Sequence, residues 1–262
     1  MAPIRGCSGG SRNGAPVCRN AARTADPAAS HRQAHAALLM LANPAKAQFL
    51  ARFFKTGKGQ YAEGDRFLGI TAPVLRQLAR QFRQLSLRDC TRLLDSPYNE
   101  ERLLSLLILV ERYRTGNAGV KKMVYRLYVK ERKRINNWNL VDASAPYILG
   151  AHLLQRDRSM LHRLVHSRSL WDRRIAVVAT FAFIRENDFG DTLKLTEQLL
   201  ADEHDLMHKA CGWMLREAGK RGPAVLEDFL RRHYRAMPRT MLRYAIERFP
   251  AAKRKRYLTG RV

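Results

Sequence analysis

Three tryptophans and one aspartate have the types and spacing for chemistry on a sugar-phosphate chain. In Ile135-Asn136-Asn137-Trp138-Asn139-Leu140-Val141-Asp142, a helix puts Trp138 and Asp142 one turn apart on the same face. Trp171-Asp172-Arg173-Arg174 opens a second such segment. Lys209-Ala210-Cys211-Gly212-Trp213-Met214-Leu215-Arg216-Glu217 forms a third. If the three line one surface, two indoles, a carboxylate and at least two basic groups converge there. A carboxylate among cations repels phosphate, so it is out of place on a surface that only holds a polyanion. It suits a site where positive charge develops, as on a sugar gaining oxocarbenium character. Electron-rich indole faces serve the same end. A structural account of these residues stays open: a helix Trp is usually core, and Asp142 can pair with a neighbouring Arg or cap the chain near Ser144-Ala145-Pro146.

The elements that position them are helices. Beyond residue 34 the apolar periodicity is helical almost throughout. Leu75, Leu78, Ala79 and Phe82 make one face of a helix whose other face carries Arg76, Arg80 and Arg83. Thr71 is its expected cap and Pro73 lies in its first turn. Ser86-Leu87-Arg88-Asp89 reads as a capping box with Asp in place of Glu. Alternating Val/Ile/Thr runs are missing from the sequence, so strands are not expected.

The helices repeat. Aligning the second helix of each pair puts Arg102, Asn139, Arg174, Lys209 and Arg243 in equivalent slots, at spacings of 37, 35, 35 and 34. A two-helix period in this range predicts an all-α fold, an α-solenoid of HEAT-like repeats over residues 35–262. Equivalent slots then line the inner surface, which becomes a concave, basic groove.

The charge agrees. The 262 residues carry 48 Lys+Arg against 23 Asp+Glu, a formal net charge of +25. A polyanionic partner follows, with nucleic acid the first candidate and an anionic membrane surface the second. The longest near-continuous apolar run, Leu103 to Val110 interrupted only by Ser105, is far short of a bilayer span. Four cysteines without a Cys-x-x-Cys pair suggest neither a disulfide scaffold nor zinc, and point to reduced thiols in a cytoplasmic setting. Residues 1–34 form a basic leader with five Arg against Asp26 alone and little to bury, so disorder is expected there. Two readings of that leader stay open: an organelle transit peptide, or a start codon assigned too early. The Gly57–Gly69 stretch lacks the third glycine and the preceding strand of a dinucleotide site. It reads as a loop between the first helices, with Lys55 and Lys58 at the groove edge.

Phe53-Phe54-Lys55-Thr56-Gly57-Lys58-Gly59-Gln60-Tyr61, Gly64-Asp65-Arg66-Phe67-Leu68-Gly69-Ile70, Asn137-Trp138 to Asp142, Trp171 to Arg174, and Lys209 to Glu217 together resemble the AlkD-like branch of the DNA alkylation repair glycosylases. The similarity spans roughly residues 36–258. It implies that Asp142 is the catalytic carboxylate beside the deoxyribose, and that Trp138 and Trp213 pack on the sugar and backbone at the lesion. It further implies that Arg174 contacts the phosphate backbone there, with Arg216 adding a contact. Arg173, Lys209, Arg243, Lys55 and Lys58 complete the expected DNA-binding set. The implied activity is hydrolysis of N-glycosidic bonds to N3- or N7-alkylated purines in duplex DNA, by a monomer, with no cofactor and no metal. The resemblance also implies excision without extruding the base, in keeping with an open groove that offers no deep pocket. Two alternatives compete: a noncatalytic HEAT-like binder of structured nucleic acid, and a protein-interaction solenoid. Neither needs Asp142 and both indoles in basic slots.

Overall fold

The computed structural model describes residues 30–262. Most of the expected leader, with Cys7 and Cys18, lies outside the described residues. The chain turns helical earlier than its composition suggests. Helix α1 (His31–Met40) starts inside the stretch expected to be leader, because Ser30 and Gln33 form a capping box. His31 and His35 then anchor α1 through Asp89 and Glu101, both distant in sequence.

Helices α2 (Pro44–Phe53), α3 (Ala72–Gln81) and α4 (Leu87–Leu94) follow. Ser86 accepts from the Asp89 amide as its spacing predicts. Thr71 stands at the N-cap of α3 but makes no side-chain cap bond. From here inner and outer helices alternate. The inner row is α5 (Asn99–Thr115), α7 (Trp138–Ser144), α10 (Leu170–Ala179), α13 (Asp205–Arg221) and α15 (Arg239–Ala245), each packed on the next. The outer row includes α6 (Ala118–Glu131), α9 (Ser159–Leu164), α12 (Gly190–Gln198) and α14 (Pro223–His233). Short α8 (Ala151–Leu153) and α11 (Phe181–Arg185) extend inner elements, and α16 (Ala251–Thr259) closes the array. This is the α-helical repeat solenoid that the period predicts, with no strand among the described residues. None of the described helices is long and apolar enough to cross a membrane.

One hydrophobic core runs the length of the array between the two rows. Two buried cysteines belong to it, Cys90 in α4 and Cys211 in α13, and burial pushes each thiol up to about 12. Gly212 marks a tight inner contact: a Cβ there would stand 2.5 Å from the Met241 carbonyl oxygen. The glycine of the Lys-Ala-Cys-Gly-Trp run therefore lets α13 and α15 touch backbone to backbone. Pro146 cannot continue the hydrogen-bonded ladder of α7, and the helix widens into a π turn at Pro146–Gly150, closed by the Gly150 amide on the Ala145 carbonyl.

The loop between α2 and α3 is tied down by buried acids. Glu100 accepts from the backbone amides of Leu68, Gly69 and Ile70. Asp65 accepts from Arg102 at 2.5 Å, from Asn99 at 3.0 Å and from Asn137 at 2.8 Å. Gly69 adopts a left-handed φ of +83° where its Cα meets the Asn43 backbone. The Gly-Asp-x-Phe-Leu-Gly-Ile run thus joins the loop, α5 and the start of α7. Arg102 is consumed here: it is 7% exposed and paired, and does not face a groove.

Replacing Asp65 by Asn leaves the Arg102 charge buried and unpartnered. Asp65→Asn is expected to lose about 3–5 kcal/mol of unfolding free energy in urea titrations, against less than about 1 kcal/mol for the exposed Glu63→Gln in the same loop.

Candidate functional site

Helix α7 owes its placement to its two ends. At the first, Asn137 accepts from the Trp138 amide and donates its own amide to Asp65. Near the other, Asp142 receives both prongs of the Arg174 guanidinium from α10: Nε to Oδ1 at 3.0 Å and Nη2 to Oδ2 at 2.8 Å. The remaining Nη1 of Arg174 donates to the Leu206 carbonyl at the start of α13, at 2.6 Å. One arginine thereby fixes the carboxylate and the spacing of three inner helices. Burial pushes the Asp142 carboxyl above the usual carboxylate range, and Arg174 opposes this by its charge and its hydrogen bonds. The pair is electrically neutral, so Asp142 can sit among cations without repelling a phosphate chain.

Aromatic rings frame the carboxylate. Trp138 stacks on Phe54, centroids 4.9 Å apart and planes 14° apart, and Phe54 stacks in turn on Phe67. Phe53 meets the same indole edge-on at 6.0 Å. Trp213 donates its indole N–H to Glu217 and lies 6.0 Å from Phe181. Trp138 and Trp213 both line a cleft of about 450 Å³ that also holds Asp142, Arg174, Lys55, Lys209 and Arg216. Seven of the ten site residues expected from the sequence line this cleft. Lys209 is bound by Asp205 at 2.6 Å, and that hydrogen bond holds its ammonium above the ordinary lysine range. Arg216 pairs with Glu247 and, through its buried Nε at 3.6 Å, with Glu217. Lys55 has no carboxylate partner among the described residues and takes a left-handed φ of 55°.

Three candidates lie elsewhere. Arg173 points away from the cleft: its Nε donates to Asp202 at 2.7 Å and its Nη1 to the carbonyls of Ser167 and Arg168. It splices two loops, because successive residues of α10 face different sides. Arg243 is exposed in a separate shallow groove with Arg254 and Lys255. Its neighbour Tyr244 is the residue that α15 sends into the cleft. Lys58 stands exposed on the loop, outside the cleft wall. Trp171 packs against Tyr61 at 6.1 Å. Spacing alone missed Tyr61 and Tyr244, although Tyr61 stands in the Gly-x-Gly-x-Tyr run and Tyr244 follows a slot residue.

The expectation of a groove without a pocket also fails. A larger cavity of about 650 Å³ opens between α2, α3, α5 and α7, and Phe53, Trp138 and Asp142 are walls of both spaces. It exists because α2 stands off from the core: none of its residues is buried, and Phe49 and Phe53 are exposed.

A family model described as DNA alkylation repair enzyme matches residues 34–249, a stretch that contains every wall residue of both spaces. The chain belongs to the DNA alkylation repair enzyme family. The solved structure of a predicted DNA alkylation repair enzyme from Enterococcus faecalis superposes with a TM-score of 0.61 at 15% identity, covering 80% of this chain and 97% of that one. At that identity the likeness is one of fold. No curated protein matches the chain. Membership of the DNA alkylation repair enzyme family ties the chain to the repair of alkylated DNA, with DNA as its partner. Among the described residues of this repair enzyme, no three His, Cys, Asp or Glu side chains gather as a metal site.

The Asp142–Arg174 contact is open to a double-mutant cycle. Asp142→Ala, Arg174→Ala and the double variant, compared by urea unfolding, are expected to give a coupling of about 1.5–3 kcal/mol. A coupling near zero would mean that the two groups do not hold one another.

Proposed function

We propose that the protein is a monofunctional DNA glycosylase that releases positively charged N3- and N7-alkylated purines, such as 3-methyladenine and 7-methylguanine, from duplex DNA. The observation that carries this reading is the Asp142 carboxylate, held by both prongs of Arg174 in one cleft with two indoles and three further cations. Fastening α7 needs the ion pair alone; a cationic sugar also needs the carboxylate and both indoles to share the cleft, as they do.

Alkylation at N3 or N7 puts a positive charge on the purine and makes it a good leaving group. The bond from C1′ to N9 breaks, its electron pair leaves with the now neutral base, and the sugar becomes cationic. Asp142 stabilises that cation and accepts a proton from the water that attacks C1′. The indole faces of Trp138 and Trp213 enclose the sugar and add cation–π attraction. Arg174 works through Asp142: it orients the carboxylate and favours its ionised form. An electrostatic contact of this kind is worth about 3–4 kcal/mol, or 10²–10³ in rate. Lys55, Lys209 and Arg216 are placed for the flanking phosphates. A carboxylate, and no lysine, stands where the sugar is placed, so no Schiff base forms at C1′. The product is an abasic site with the strand intact.

Mass spectrometry of free bases released from methylated duplex DNA tests the reading. Wild type is expected to release 7-methylguanine or 3-methyladenine, and Asp142→Asn to be at least 10²-fold slower with DNA affinity retained. Equal rates would remove Asp142 from the chemistry; no release by wild type above the spontaneous rate would make the protein a noncatalytic binder.

The reaction needs the carboxylate ionised, and burial raises its pKa. Excision is therefore lost as pH falls, with an acid limb above the ordinary aspartate value of about 3.9. Arg174→Gln removes the opposing charge and is expected to move that limb further up, in a kcat/KM profile between pH 4 and 8. Lys55→Ala is expected to make the salt dependence of DNA affinity shallower by about 0.9 in log–log slope.

A further inference from the structure

We propose that His204, at the N-cap of α13, is a positioning residue for Asp142: it fixes the backbone at Leu206 on which Arg174 is anchored. The inference deepens the glycosylase reading and rests on it.

Leu206 makes the connection. Its amide donates to His204 Nδ1 at 3.1 Å, and its carbonyl accepts from Arg174 Nη1 at 2.6 Å. Both backbone polar groups of one residue are thereby spent, the first on the histidine and the second on the arginine. Arg174 turns its other two nitrogens on Asp142, at 3.0 and 2.8 Å. A bidentate pair is directional, so the place of the guanidinium sets that of the carboxylate. The far root of that guanidinium is the first turn of α13, whose amides have no partner within the helix. Without its cap that turn frays, and the Leu206 carbonyl moves with it.

His204 is itself held fast. Its amide donates to Asp202 at 2.9 Å, and Asp202 also accepts from Arg173 Nε of α10. The ring borders the cleft that contains Asp142. Because Nδ1 accepts the Leu206 amide, the imidazole is neutral with its proton on Nε2. Burial, above all, lowers its pKa; Arg173 and His208 act in the same direction, against Asp202 and Asp205. The accepting form therefore prevails at neutral pH.

The choice of histidine has a reason. Ser, Asp and Asn are the stronger caps. An aspartate here would join Asp202, Glu203 and Asp205 in an unbroken acidic run beside a cleft that receives phosphates. A neutral imidazole accepts the same amide without that charge.

The test reads Asp142 directly, by carbon NMR titration of the aspartate carboxyls, with its signal assigned from Asp142→Asn. His204→Ala is expected to raise the Asp142 midpoint and to slow 7-methylguanine release several-fold on the acid limb of the kcat/KM profile. His204→Asn keeps a neutral acceptor at the cap and is expected to restore both. In an Arg174→Ala background, His204→Ala is expected to change neither further, because the link it acts through is gone. An unmoved Asp142 midpoint in His204→Ala would overturn the inference, as would an undiminished effect in the Arg174→Ala background. Midpoints that follow the expected pattern in a protein that releases no base would keep His204 in its role and remove the glycosylase reading.

Discussion

A seven-residue helix cannot hold its own geometry in water, and α7 is such a helix. Its start and its end are each fastened by a carboxylate pairing with residues from other repeats. At the start, Asp65 gathers Arg102, Asn99 and Asn137, and Asn137 passes the constraint to the Trp138 amide. At the end, Arg174 takes both oxygens of Asp142 and reaches on to the Leu206 carbonyl. The cleft is therefore built from pairs that bridge neighbouring repeats, and the π turn after Ser144 costs it nothing because the positioning comes from outside the helix.

The same principle divides the molecule's positive charge. Many of its arginines are fasteners: Arg132 holds Asp172, Arg158 holds Asp188 and Asp191, and Arg173 holds Asp202, each across a junction between helices. Such partly buried pairs bind structure and carry no net field. The surplus behind the +25 lies in the unmatched side chains, and these supply long-range attraction for a polyanion.

What the sequence made legible follows from this division. Helical period and repeat spacing depend on the local chain, so the solenoid and the shared face of Trp138 and Asp142 could be read directly. The slot residues do occupy related turns of the inner helices, but a slot does not say what meets it. Arg102 met Asp65, Arg174 met Asp142, and Arg243 was left facing a different groove while Tyr244 turned inward. Those outcomes depend on partners 30 or more residues away. The cavity was illegible for the same reason: it is a space left by the stance of α2, and no residue spells it out. Ser30-x-x-Gln33, in contrast, was a local signal for the start of α1, masked by the polar leader around it.

The two core cysteines acquire a meaning from the work of the fold. Alkylating electrophiles attack thiolates ahead of most other protein groups, and the thiolate fraction is set by pKa and access. Cys90 and Cys211 are sealed in the core with their protons held to about pH 12. The described part of the chain therefore offers no exposed thiolate to the agents that create alkylated DNA, and its core is closed to them at both cysteines.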